Sequence, residues 1–196
     1  MYLSRALYQH CQKGFTLIET IVGIVVLAIS FSVLTSFIYP IAEQSADQLH
    51  QVKAAELAQS MLNEIQNKAF DQNSDMAGGR IRCGETGAPD CSTTMEPDTV
   101  LGTTETRATF NDVDDYNDLE YGSVYGKGGI QNSQGIPLDL YVGYSMRITV
   151  CNDANYSGPD CDGALDANTS TAKLIIVTIT TPTDFAMQFS TYKANF

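Results

Sequence analysis

Lys13-Gly14-Phe15-Thr16-Leu17-Ile18-Glu19 stands at the head of an apolar run that continues to Ile41, and beyond Glu19 that run carries no charged side chain. From Phe15 it is about 26 residues, or ~39 Å at helical rise, which exceeds the ~30 Å hydrocarbon core of a bilayer. A carboxylate within such a run costs on the order of 2.5–3.5 kcal/mol at mid-bilayer and less near an interface, so Glu19 is expected to have a function. Arg5 and Lys13 precede the run, whereas Glu43 and Asp47 follow it before the next cation, Lys53. The positive-inside bias therefore places the N-terminal end in the cytoplasm and exports the bulk of the chain.

Residues 1–14 have no apolar core and no small-x-small cleavage box, so they are not an ordinary secretory signal. Gln9 and His10 are too large and polar for a lipobox before Cys11. Instead, Lys13-Gly14 followed by Phe-Thr-Leu-Ile-Glu resembles the class III signal of type IV pilins and type II secretion pseudopilins. That resemblance implies a leader over 1–14, cleavage between Gly14 and Phe15 by a prepilin peptidase, and N-methylation of Phe15. It also implies partners: an inner-membrane assembly platform and other major and minor pilin subunits. Glu19 is four residues from Phe15 on one helix face, and in the family it would neutralise the Phe15 amine of an adjacent subunit. In a low-dielectric filament core such a pair acts as a register device, because a shifted subunit leaves a buried charge unpaired.

After the membrane segment, 15–41, apolar or small residues recur at Ile41, Ser45, Leu49, Val52, Ala55, Leu62, Ile65 and Ala69, with polar residues between them. This period predicts one continuous helix to about Phe70 that buries its second half against a head. Pro40 cannot donate to the carbonyl of Ser36, so a kink or local unwinding is expected there. The resulting fold class is α+β and type IV pilin-like. A long N-terminal helix, half transmembrane and half amphipathic, packs on an antiparallel sheet within a head spanning 42–196.

Strand signals fall at Val100–Leu101, Ala108–Phe110, Leu140–Val150, Lys173–Thr181 and Phe185–Tyr192. Thr181-Pro182-Thr183-Asp184 reads as the turn of an antiparallel hairpin between the last two. Of the three ways to join Cys83, Cys91, Cys151 and Cys161, the spacing favours Cys83 with Cys91 and Cys151 with Cys161. Each pair brackets a short loop rich in Gly, Asp and Pro. Closing it contributes roughly 2.5–3 kcal/mol in the chain-entropy model. Zinc is disfavoured by these spacings and by the lack of a nearby histidine.

Acidity concentrates in 110–120, where Asp112, Asp114, Asp115 and Asp118 supply enough hard oxygens for calcium. The other reading is a solvated turn whose side chains cap local backbone groups. Asp71-Gln72-Asn73-Ser74-Asp75 starts like an EF-hand loop, but Met76 replaces the required glycine and Arg82 the bidentate glutamate, so it reads as a helix-terminating loop. No other cofactor is indicated. Past residue 14 the chain has one histidine, His50, and no recognisable nucleophile with its base, so an enzyme is not expected. The formal charge of −12 repels phosphate backbones and argues against a nucleic-acid partner.

Ser45-Ala46-Asp47, the stretch 69–75 with Gly78-Gly79-Arg80, the run 112–116 and the ending Tyr192-Lys193-Ala194-Asn195-Phe196 resemble minor pilins of the mannose-sensitive haemagglutinin (MSHA) pilus. That resemblance implies an accessory subunit of a surface-attachment fibre. It would be held in the inner membrane with its head in the periplasm before assembly, and would then reach the cell surface. Two other functions fit the same signal. One is a minor pseudopilin of type II secretion. The other is a tip adhesin that stacks a glycan on Tyr116, Tyr121, Tyr125, Tyr141 or Tyr144, although such residues are commonly strand packing.

Overall fold

The computed structural model describes residues 14–75, 81–100, 102–158, 161 and 168–195, with only the backbone described at 39–43 and 100. The leader with Arg5 and Lys13, the segment Gly78-Gly79-Arg80, Leu101 and Phe196 lie outside the described residues, as do the side chains of Pro40, Ile41 and Glu43. The chain divides into one unit up to Ala46 and a second over Asp47–Phe196. A single helix, α1, Leu17–Gln66, contributes to both.

In the first unit, Thr16 caps α1. The amide of Glu19 donates to Thr16 Oγ1 at 3.4 Å and to Thr16 O at 3.1 Å. Thr-x-x-Glu is the spacing of a capping box, and an acidic residue in the first turn also complements the positive end of the helix dipole. Leu17–Ile38 forms a 22-residue apolar span with none of its side chains buried. At ~1.5 Å per residue it is long enough to cross a bilayer. Its hydroxyls turn inward: Thr20 donates to Leu17 O, Ser30 to Val26 O, Thr35 to Phe31 O and Ser36 to Val33 O, at 2.7–2.9 Å. No hydroxyl proton among these four is left to face hydrocarbon, the condition a lipid-exposed segment must meet. Helical backbone continues through Ser36 and Pro40.

In the second unit, the C-terminal part of α1 buries Ala54, Leu57, Ala58, Met61, Leu62 and Ile65. These steps of three and four trace one helix face. Leu49 and Val52, expected on the buried stripe, are each 57% exposed. At their level the helix meets the head through His50, whose Nδ1 lies 2.7 Å from the Tyr144 hydroxyl. The end of α1 is capped by Lys193, whose Nζ donates to Gln66 O, while Lys68, just past the helix, donates from its Nζ to Phe110 O.

The main sheet is antiparallel with order β3-β4-β5-β6: β3, Glu120–Tyr121; β4, Ser145–Asn152; β5, Ala172–Thr180; β6, Ala186–Ala194. Strand β5 is buried on both faces. Ile175, Val177 and Ile179 join Ile148 and Val150 in the core that receives the helix. Leu174 and Ile176 point the other way, against Cys151 and Tyr192. The expected hairpin is present, with the Thr181 amide donating to Phe185 O across the turn. Disulfides join Cys83 to Cys91 and Cys151 to Cys161, with Cα separations of 4.8 and 5.8 Å.

Two strand expectations are corrected. Ala108–Phe110 lies in a turn in which the Thr109 and Phe110 amides reach Thr106 O, and Thr109 Oγ1 accepts from the Thr106 amide. Side-chain capping satisfies the backbone locally, and Arg107 and Phe110 then both face inward. Residues 139–141 form a 3-10 turn, and Gly143 at φ 84° delays the strand to Ser145. A small hairpin pairs β1, Thr99–Val100, with β2, Thr103–Thr104, and two further 3-10 turns span Asp114–Tyr116 and Ser123–Tyr125.

Candidate functional sites

At the N-terminal site, Gly14 and Phe15 precede the first helical turn and both are exposed. A Cβ placed on Gly14 would meet no atom within 4 Å. Glu19 is exposed on α1, and among the described residues no cation pairs with it. It is the one charged residue in the span Leu17–Ile38.

In the head, the loop after α1 is tied to the acidic run. The Ala69 amide donates to Asn111 O, and the Val113 amide donates to Ala69 O. Behind this contact lies Lys173 of β5, which is 0% exposed. Its Nζ sits between the two oxygens of Asp114, at 2.6 and 2.7 Å, donates to Phe70 O at 2.8 Å, and reaches Asp71 Oδ2 at 3.4 Å. The ammonium also lies 4.4 Å from the centre of the Phe70 ring. Asp71 in turn accepts from the amides of Asn73 and Ser92. Burial pushes the Asp114 carboxyl up from its ordinary value, and Lys173 pulls it back.

Asp115 faces away from Lys173. Its Oδ2 accepts from the amides of Asn111 and Asp112 at 2.7 and 3.1 Å, and its Oδ1 from the Asp98 amide at 3.4 Å. Asp112 Oδ1 accepts from the amides of Asp114 and Asp115, while Asp112 Oδ2 is buried without a donor. Carboxylate oxygens of Asp98, Asp112 and Asp115 lie within 4.8 Å of one another. Glu105 lies beside them: its Oε1 accepts from Asn111 Nδ2 at 2.6 Å, and its Oε2 is buried without a donor. Burial, with the neighbouring charges of Asp114 and Asp115, pushes Asp112 up to about 8. Burial and then Asp115 raise Asp98 and Glu105 as well.

The four aspartates taken together from the sequence are therefore divided. Asp112 and Asp115 share one cluster, Asp114 serves Lys173, and Asp118 stands at the surface beside Arg147 at 3.5 Å. Asp98 and Glu105 were not anticipated. They flank the β1–β2 hairpin, whose base is closed by the Glu105 amide donating to Asp98 O at 2.9 Å. The cysteine sulfurs near Asp71 are joined to each other and are not free to ligate.

A third polar group fixes the helix to the head. Arg107 grips Glu64 of α1 with both terminal nitrogens, at 2.6 and 2.7 Å, and the Tyr116 hydroxyl donates to Glu64 Oε1 at 2.7 Å. Burial pushes the Glu64 carboxyl up, but hydrogen bonds from Arg107 and Tyr116 and the guanidinium charge outweigh it, so the group sits below its ordinary value. Tyr116, Tyr121 and Tyr144 are buried and Tyr141 packs on the same core, so four of the five tyrosines considered for glycan stacking are structural. The fifth, Tyr125, stacks near Arg147.

Residues 9–35 match the family model described as the prokaryotic N-terminal methylation motif. No curated protein matches the chain. No solved structure matches it either. The chain thus carries the methylation motif of type IV pilin-like proteins on an apolar N-terminal helix long enough to cross a membrane.

Proposed function

We propose that this chain is an accessory, low-abundance subunit of a type IV pilus of the MSHA type, similar to the minor pilin MshD, and that it acts in surface attachment by starting, capping or decorating the fibre. One observation carries the pilin-type part of the reading, and the resemblance of 45–47, 69–75, 112–116 and 192–196 to MSHA minor pilins supports the rest. A methylation motif sits directly on an apolar span whose single charge, Glu19, has no partner cation among the described residues. A carboxylate so placed is stabilised by a cation from outside the chain. The Phe15 α-ammonium of a neighbouring subunit, created by cleavage after Gly14 and retained on methylation, supplies that cation. Prepilin peptidase and the inner-membrane assembly platform are then the processing partners, and the head faces the periplasm before assembly and the cell surface after it.

A minor pseudopilin of type II secretion shares every one of these N-terminal features. Quantitative mass spectrometry of sheared fibres separates the two: the chain is expected in purified pili at a small fraction of the major subunit. Its confinement to the cell envelope, with protein secretion lost on deletion, would reject the pilus. Glu19→Ala should be cleaved and inserted normally yet be missing from fibres, and its incorporation at the wild-type level would remove the pairing role.

A further inference from the structure

We propose that Asp98, Glu105, Asp112 and Asp115 form a binding site for one calcium ion that clasps the β1–β2 hairpin to the turn beneath α1. Three of these carboxylates place oxygens within 4.8 Å of one another, a spread that one ion with ~2.3–2.6 Å bonds spans. Glu105, whose Oε1 accepts from the side chain of Asn111 while the Asn111 amide donates to Asp115, offers a fourth. The cluster is more than a gathering of acids, because it contains acceptors with nothing to accept. Asp112 is 0% exposed and its Oδ2 has no donor. Glu105 Oε2 and Asn111 Oδ1 are likewise buried and unpartnered. An orphaned buried carboxylate oxygen is strongly unfavourable unless a cation or a proton meets it.

No side chain supplies that cation. Among the described residues no lysine, arginine or histidine forms an ion pair with any of the four acids. Lys173 is committed to Asp114, Asp71 and Phe70 O, and Arg107 to Glu64. The donor set is all oxygen, which selects a hard ion. The acids come from a hairpin base and a turn rather than from a rigid cage. Calcium tolerates such irregular, many-oxygen sites, whereas magnesium demands a near-ideal octahedron at ~2.0–2.1 Å. Occupancy would add to the two hydrogen bonds that already join these elements, from the Asp98 amide to Asp115 and from Asn111 Nδ2 to Glu105. A two-residue-strand hairpin is barely stable by itself, and Asp98 and Glu105 stand at its two feet.

The test uses the full chain in detergent micelles, stripped with chelator and then titrated with calcium at neutral pH. Calcium is expected to bind one per chain, to raise the thermal unfolding midpoint, and to slow amide exchange in 98–105. Terbium in its place should give tyrosine-sensitised emission, since the chain has no tryptophan and Tyr116 follows Asp115. Glu105→Gln and Asp112→Asn should each weaken binding by ~10-fold or more, as loss even of an outer metal partner does. Glu105 stands at the rim, so its variant reports on binding even if Asp112→Asn does not fold. Asp118→Asn should bind as wild type does. No response in midpoint, exchange or emission up to ~10 mM calcium, beyond the range of weak extracellular modules, would overturn the site. So would wild-type affinity in Glu105→Gln, loss of binding in Asp118→Asn, or an equal response to magnesium.

Discussion

Lys173 shows how much of the head can depend on one side chain. It is fully buried and meets Asp114, Asp71 and Phe70 O, three groups from two separate loops. Removing one partner from a buried pair leaves an uncompensated charge and typically costs ~3–5 kcal/mol. Lys173→Met is therefore expected to lower unfolding stability by about that amount in urea, and a loss below ~1 kcal/mol would mean the cage is solvated. Glu64 permits a cleaner test of charge. Its carboxyl is held below its ordinary value of 4.5 by Arg107 and Tyr116, with a further contribution from Lys68. The unfolded chain then binds the proton more tightly than the folded one, so the contribution is present above about 4.5 and is lost as pH falls through the lower folded value. The stability difference between wild type and Glu64→Gln should shrink as pH drops from about 6 to about 3. A gap that stays constant over that range would assign Glu64 a purely steric role.

At the scale of elements, the helix and the long strands were legible because their signals are local and strong. The apolar run, the hairpin turn at 181–184 and the β-branched stretch Ile175-Ile176-Val177-Thr178 can each be read without knowing their surroundings. The buried face of α1 was less legible. Alanines do not announce themselves as core, yet Ala54 and Ala58 are fully buried while Leu49 and Val52 are not. Ala54 and Ala58 lie in the same buried cluster as Leu57 and Met61. Leu57→Ala should cost ~2–5 kcal/mol, while Leu49→Ala should cost under ~0.5 kcal/mol in the isolated chain. Equal costs in chemical denaturation would contradict the assignment of the buried face. The candidate ion site was half legible. Its turn stood out as an acidic run, but a 3-10 turn at Asp114–Tyr116 sends adjacent aspartates to opposite sides. The partner acids come from a hairpin whose pairing depends on four residues of Thr and Val, too short a pattern to read in advance.

For the whole molecule, Gly14 separates what the chain needs for itself from what others need of it. A Cβ added there would meet no atom of the described residues within 4 Å, and the cap of α1 begins only at Thr16. Neither folding of the head nor insertion of the helix gives a reason for glycine at this place. Replacing it with a bulky residue should leave the head's unfolding profile and membrane insertion unchanged while the leader stays attached, as N-terminal sequencing of the membrane fraction would show. Normal trimming of that variant would refute the role. On the function proposed above, Gly14 acts as an address: it is written in this chain but has meaning only to the enzyme that reads it. Such a residue can be fatal to lose without costing the fold anything, so a stability screen of this protein would pass over the position on which its fate turns.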